Sequence, residues 1–229
     1  MVFKYFLSKV IFTKSDIHYY SMSIKDYEEY IQKSGDNFGY RYGLFKILSD
    51  NFTIETATYP GSYIDITPSL FFPTTYYIDT DRKAKRFFKN KKEIFDYIER
   101  NKTYDEKINL RFFSEDYRKK FDDIISSSDL MISLYAGFIS KYCKNLLKKN
   151  GLLIANNSHG DASMAQLDDD FTFFGVINYQ NKKYYLKTDN LDKYFIPKKD
   201  IIVTKELLEK TNRGVGYKKP ANYYLFRKK

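Results

Sequence analysis

The sequence predicts an α/β fold: a doubly wound, mostly parallel sheet closed by antiparallel C-terminal strands, preceded by an N-terminal helical extension. Three observations predict it. Between residues 53 and 156, short apolar and β-branched runs alternate with segments of helical period. The run LLKKNGLLIANN (146–157) passes at Gly151 from the end of a helix to a strand apolar enough to be buried on both faces. Beyond residue 170, FTFFGVINYQNKKYYLKT reads as two strands joined at Gln180-Asn181, a hairpin.

The elements follow in order. In SIKDYEEYIQKSG, Ser23 caps a helix, Ile24, Tyr27 and Ile31 share one face, and Gly35 stops it. RYGLFKILSDN continues with Leu44, Ile47 and Leu48 on one face. Residues 1–52 thus form the extension and 53–229 the α/β domain. Strands are predicted at 53–58, 75–79, 107–113, 129–134 and 151–156. Helices are predicted at 68–72, 82–100 (broken near Asn90), 117–125 and 137–149. Thr67 and Asp81 stand at N-cap positions, with Pro68 in a first turn. Short helices at 190–194 and 204–210 precede a last strand at 222–227.

Composition narrows the class. Hydrophobic residues make up 43% of the 229 and exclude disorder throughout. The single cysteine, Cys143, permits no intrachain disulfide and fits a reducing compartment. The apolar stretch 130–139 is half the roughly 20 residues a membrane helix needs. The start, MVFKYFLSKVIF, carries Lys4 and Lys9 and no small-x-small cleavage site, so a cytoplasmic location is expected. Charge is uneven: residues 1–180 hold 25 basic and 24 acidic side chains, residues 181–229 hold 14 and 5. That basic segment is the expected face for a nucleic-acid partner. The competing reading is plain bias, since Lys, Asn, Ile, Tyr and Phe are abundant throughout.

Candidate chemistry lies in the loops after the strands, because open α/β sheets bind ligands beyond the carboxyl ends of their strands. Gly61 in TYPGSYIDITPS permits a tight turn and close approach. Asp79 follows eighteen residues later. An acid about 20 residues beyond a glycine turn is placed to accept from two ribose hydroxyls. The alternative is a plain strand-turn-helix with two caps. The loop Asn156-Asn157-Ser158-His159-Gly160-Asp161 is dense in polar groups. His159, one of two histidines with His18, has a carboxylate two residues away and is a candidate general base oriented by Asp161. The alternative is a surface loop in which Asp161 caps a helix from Ala162. Neither residue has a third partner for a metal site.

Taken together, YPGSYID, YYIDTD, FFSEDY, DLMISLYAG and LLKKNGLLIANN resemble, in order, the sequence motifs of class I S-adenosylmethionine-dependent methyltransferases, over roughly residues 53 to 227. The resemblance implies a Rossmann-like domain that binds S-adenosylmethionine. It implies cofactor contacts at Tyr59 and Gly61 in the first motif, a ribose contact at Asp79, an adenine contact at Glu115 or Asp116, and a further cofactor contact at Tyr135, on the active-site edge of the fourth strand. The family's first motif is an acid followed by G-x-G-x-G; here those positions read Tyr59, Gly61, Tyr63 and Asp65. Absent too are an Asn/Asp-Pro-Pro-aromatic motif at Tyr135-Ala136-Gly137, a cysteine placed as in cytosine C5 enzymes, and the Tyr-x-x-x-Lys of short-chain dehydrogenases. The expected function is methyl transfer to an O or N atom of an unknown acceptor. The alternative is a non-catalytic Rossmann-like binding or interaction module. Tyr63 or its neighbours filling the crevice above Gly61 favours the module; an open crevice faced by Asp79 favours the enzyme.

Overall fold

The computed structural model describes residues 22–33 and 38–229. Gly35, His18 and the leading segment lie outside the described residues. Among the described residues eight strands form one sheet: β1 (Thr56–Pro60), β2 (Thr74–Ile78), β3 (Asn109–Phe113), β4 (Ser128–Ser133), β5 (Leu147–Ala155), β6 (Phe171–Gln180), β7 (Lys183–Lys187) and β8 (Tyr223–Lys228). Their order is β3-β2-β1-β4-β5-β8-β6-β7. The first five are parallel. β8 is antiparallel to both β5 and β6, and β7 is antiparallel to β6. The chain is therefore a doubly wound, mostly parallel sheet closed by antiparallel strands, as expected. The order reverses between β1 and β4, and there the crossovers leave a crevice.

Among the described residues seven helices flank the sheet: α1 (Ile24–Lys33), α2 (Phe38–Asn51), α3 (Arg82–Phe87), α4 (Lys91–Asn101), α5 (Ile139–Cys143), α6 (Asp161–Gln166) and α7 (Lys205–Thr211). Strand alternation sorts the core into two faces. Leu130, Ile132, Leu152, Ile154 and Leu225 pack with α1 to α4. Met131, Leu153, Ala155, Tyr224 and Phe226 pack with α5 and α6. Tyr27, Ile31, Leu44 and Leu48, from the two N-terminal helices, share the first core with the sheet. The hairpin turns one residue later than expected, at Asn181-Lys182, because Gln180 still pairs with Lys183; both turn residues are at positive φ, as a two-residue turn between twisted strands requires. The predicted break near Asn90 falls between α3 and α4. None of the described helices is long and apolar enough to cross a membrane.

Four segments differ from expectation. Residues 117–125 hold only a 3-10 turn, Asp122–Ile124, because Phe121 and Ile124 are the only buried anchors in a charged stretch. The predicted helix 137–149 shrinks to α5 and a 3-10 turn, and β5 starts at Leu147, ahead of Gly151. Leu147 pairs with Ser128 while Leu152 pairs with Leu130, so the intervening residues bulge outward. Gly151 is no helix stop: a Cβ there would lie 2.7 Å from Leu147. The 68–72 and 190–194 helices are 3-10 turns, Thr67–Leu70 and Leu191–Lys193. Finally, Thr67 is not the cap of its turn. Its N–H and hydroxyl both donate to Asp65 Oδ1, at 3.0 and 2.6 Å, so Asp65 is the side chain that satisfies it.

Candidate functional site

The crevice is built from four strand ends. β1 closes with Pro60, and the Gly61 N–H donates to Ile78 O at 2.8 Å, tying the first loop to β2. Gly61 has φ +67, and a Cβ on it would lie 2.2 Å from Ala136 Cβ. Only glycine fits, because the loops after β1 and β4 touch here. Asp79, one residue past β2, accepts from Tyr63 N–H through Oδ2 and from Asp81 N–H through Oδ1, each at 2.7 Å. A carboxylate offers about four acceptor positions, so each oxygen retains one for a further donor. Asp81 caps α3 as predicted, accepting from Lys83 and Ala84 N–H.

After β3 come Glu115 and Asp116. Arg118 grips Asp116 by two nitrogens, and this bonding holds the carboxyl down at about 2. Lys119 pairs with Glu115 at 2.6 Å. After β4, Tyr135 is 55% exposed in left-handed backbone, φ +62. Tyr63 is left-handed too, φ +51. Bulky residues in that region are strained, and such strain gathers at ligand sites. Gly61, Asp79, Glu115, Asp116 and Tyr135 converge on one hollow of about 450 Å³, with Tyr117 and Arg118. That volume lies within the usual range for small-molecule sites. Tyr63 does not line it; its ring packs edge-on against Tyr30, with centroids 5.1 Å apart.

A second hollow of about 430 Å³ adjoins the first. The two share Tyr117, Arg118, Tyr135 and Ala136, and His159 lines the second with Tyr142 and Phe138. His159 is half-buried. Its loop is stitched down by others: Asn157 Oδ1 accepts from Ser163 N–H and hydroxyl, and Asn157 Nδ2 donates to Val215 O.

Two expected site residues lie elsewhere. Tyr59 is 2% exposed, within the first core, with its hydroxyl 3.4 Å from Arg41 Nη1. The inward alternation of β1 sends its ring under the sheet, so it does not line the hollow. Asp161 neither orients His159 nor caps α6, whose N-cap is Gly160. Its buried carboxylate accepts from Ser133 Oγ at 2.5 Å and from Ser140 N–H and Oγ at 3.1 and 2.5 Å. Burial pushes it up to about 6, against those hydrogen bonds. It braces the end of β4 against α5. Cys143 is buried in the core, as predicted, and burial raises its thiol.

Sequence reasoning missed a buried polar group behind the crevice. Arg41 of α2, 3% exposed, lies 3.6 Å from Asp65 Oδ2, with its guanidinium 5.8 Å from the Tyr135 ring centre. Burial lowers the Arg41 pKa, but Tyr59 and Asp65 outweigh it and raise it. A lone arginine among the aromatic and apolar residues that open α2 was the only signal. Among the described residues no cluster of three or more His, Cys, Asp or Glu is placed to hold a metal ion.

No protein-family model matches the chain, and no curated protein matches it. Solved structures do. The O-methyltransferase TomG from Streptomyces achromogenes, in complex with SAM, is 9% identical over 71% of this chain and 86% of its own, with a TM-score of 0.44. The N-methyltransferase NodS from Bradyrhizobium japonicum, in complex with S-adenosyl-L-homocysteine, is 11% identical over 82% and 85%, with a TM-score of 0.43. An O-methyltransferase from Bacillus cereus, in complex with SAH, is 9% identical over 65% and 76%, with a TM-score of 0.40. At these values the likeness concerns chain trace alone and says nothing of reaction or ligand.

Proposed function

We propose that this chain is an S-adenosylmethionine-dependent methyltransferase acting on an O or N atom. The observation that carries the reading is the pair of adjoining hollows at the carboxyl ends of β1 to β5, sharing Tyr135 and Ala136. One is suited to a cofactor and the other to an acceptor. The residues fit the adenosine end. Asp79 faces the first hollow with acceptor capacity left for two vicinal hydroxyls, and Glu115 and Asp116, each also paired with a neighbouring cation, border it on the β3 side, where one would accept from an exocyclic amine. Gly61 lines the same hollow at the end of β1. When bound, S-adenosylmethionine supplies an electrophilic methyl group. His159, on the wall of the second hollow, takes the proton from the acceptor, without Asp161.

One observation favours the second reading, a non-catalytic binding module. Gly61 packs against Ala136, which narrows the crevice between β1 and β4 where the amino-acid end would lie. Calorimetry separates the two. The wild type should bind S-adenosylhomocysteine, and Asp79→Ala should weaken it about 10- to 100-fold, the loss of a doubly hydrogen-bonded charged acceptor. A wild type that shows no heat at millimolar ligand sinks the cofactor reading and leaves the module. A nucleic-acid partner through residues 181–229 remains a separate proposal. Affinity that is flat between low and physiological salt would count against it.

A further inference from the structure

The densest positive charge in the chain lies outside the basic C-terminal segment. Residues 82–92, RKAKRFFKNKK, carry Arg82, Lys83, Lys85, Arg86, Lys89, Lys91 and Lys92 with no acid among them. They form α3, the break and the first turn of α4. Ala84, Phe87 and Phe88 face the core, and all seven cations are exposed. Lys92 pairs with Asp96 at 3.3 Å. The other six make no ion pair with any described residue. The nearby Glu93 is occupied, accepting from Ile24 N–H and from Asn90. By contrast, several C-terminal cations are spent on the fold. Lys187 pairs with Asp189, Lys228 donates to the carbonyls of Lys144 and Leu147, and Arg227 donates to Asn150 O and covers the Phe174 ring.

Beside these cations runs a groove of about 520 Å³ over the outer edge of β3. Lys85, Lys89 and Lys91 stand along it. Its apolar surface comes from Phe95, Leu110 and Phe112, each only partly buried, with Phe88 stacked on Phe112 at 4.3 Å. Exposed cations on a helix surface, by themselves, keep a sheet edge soluble. Here they flank partly open aromatic rings, which solubility does not require. A row of phosphates matches six cations in ten residues that no described residue pairs, and ring faces accept bases of any identity.

We propose that the α3–α4 surface binds single-stranded nucleic acid. Phosphates lie on Arg82, Lys83, Lys85, Arg86, Lys89 and Lys91, and a base enters the groove against Phe95 and Phe112. The inference is independent of the crevice, since binding is read without cofactor or turnover.

The test is fluorescence anisotropy of the full chain with labelled oligo(dT) and oligo(U) of about ten nucleotides, at about 50 and about 200 mM salt. If most of the six cations engage, log affinity should fall against log salt with a slope of about −4, from about 0.7 per phosphate on a single strand. Lys85→Glu, Lys89→Glu and Lys91→Glu together should make the slope shallower by about 2 and weaken low-salt binding by at least ~30-fold. Phe95→Leu keeps an apolar side chain. It should leave the slope unchanged and weaken binding about 5- to 10-fold through lost stacking. Thermal melts of both variants should match the wild type. A wild type that binds neither oligonucleotide overturns the proposal. So does a triple variant that binds as well as wild type while charge reversal at Lys198, Lys199 and Lys218 abolishes binding. Polyglutamate displacing the oligonucleotide as effectively as oligo(dT) does would point to an acidic protein segment and also overturn it.

Discussion

The loops after β2 and β5 each carry an aspartate at the same end of the sheet, and the two do opposite work. Asp79 is half-exposed, held by two backbone N–H groups, and faces a hollow. Asp161 is 2% exposed, and Ser133 and Ser140 surround it. A carboxylate that still meets solvent keeps acceptor capacity for a ligand. One enclosed by donors has spent it on holding loops together. Within the β5 loop the same contrast recurs: His159 reaches a hollow while Asp161, two residues on, is a brace.

The largest effect expected is on turnover. His159→Ala should slow methyl transfer by ~10²–10⁴-fold, the usual contribution of a general base, with no change in melting temperature. Full turnover on the true acceptor removes His159 from the mechanism. Asp161→Ala should do the reverse. It leaves the buried donors of Ser133 and Ser140 without their acceptor, at a cost of about 3 kcal/mol in stability by denaturant unfolding. A variant as stable as wild type breaks the distinction between brace and ligand site.

The pH dependence sharpens the same contrast. Burial raises the Asp161 carboxyl from its ordinary 3.8 to about 6 in the folded chain. Between those values the folded state binds more protons than the unfolded one. This group's stabilising contribution is therefore complete below about pH 4 and is lost as pH rises through about 6. The loss is of order 3 kcal/mol, at roughly 1.4 kcal/mol per unit. Unfolding free energies of wild type and Asp161→Asn at pH 4 and pH 7 measure it; the difference between the two pH values should shrink in the variant. The smallest effect belongs to Asp81, which only caps α3. Asp81→Ala should cost about 1 kcal/mol and leave S-adenosylhomocysteine binding intact. A large loss of affinity would show that the cap and the crevice are coupled through Asp79.

Much of the fold was legible because hydrophobic periodicity is local. The five parallel strands, the break at Asn90, the Asn181 turn and the Asp81 cap each follow from a few neighbouring residues. The segments misread were those whose form depends on distant partners. Leu147 starts β5 because Ser128 lies across from it, and residues 117–125 fail as a helix because little of the core reaches them. Charge shows the same split. Counting charges over whole segments hides the run at 82–92, which eleven consecutive residues display plainly, whereas the loss of Arg227 and Lys228 to internal contacts appears only in three dimensions.

By itself, then, the sequence determined the alternation of strands and helices, hence the parallel sheet, and the residues that stand at its carboxyl end, because side-chain period and turn chemistry are set within a few residues. Only the tertiary structure decided which of those residues face a hollow. Packing turned Tyr59 into the core, enclosed Asp161 between β4 and α5, moved the Tyr63 ring onto Tyr30, and brought Gly61 against Ala136. Burial and hydrogen-bond saturation are properties of neighbours far apart in the chain, and no local pattern of residues encodes them.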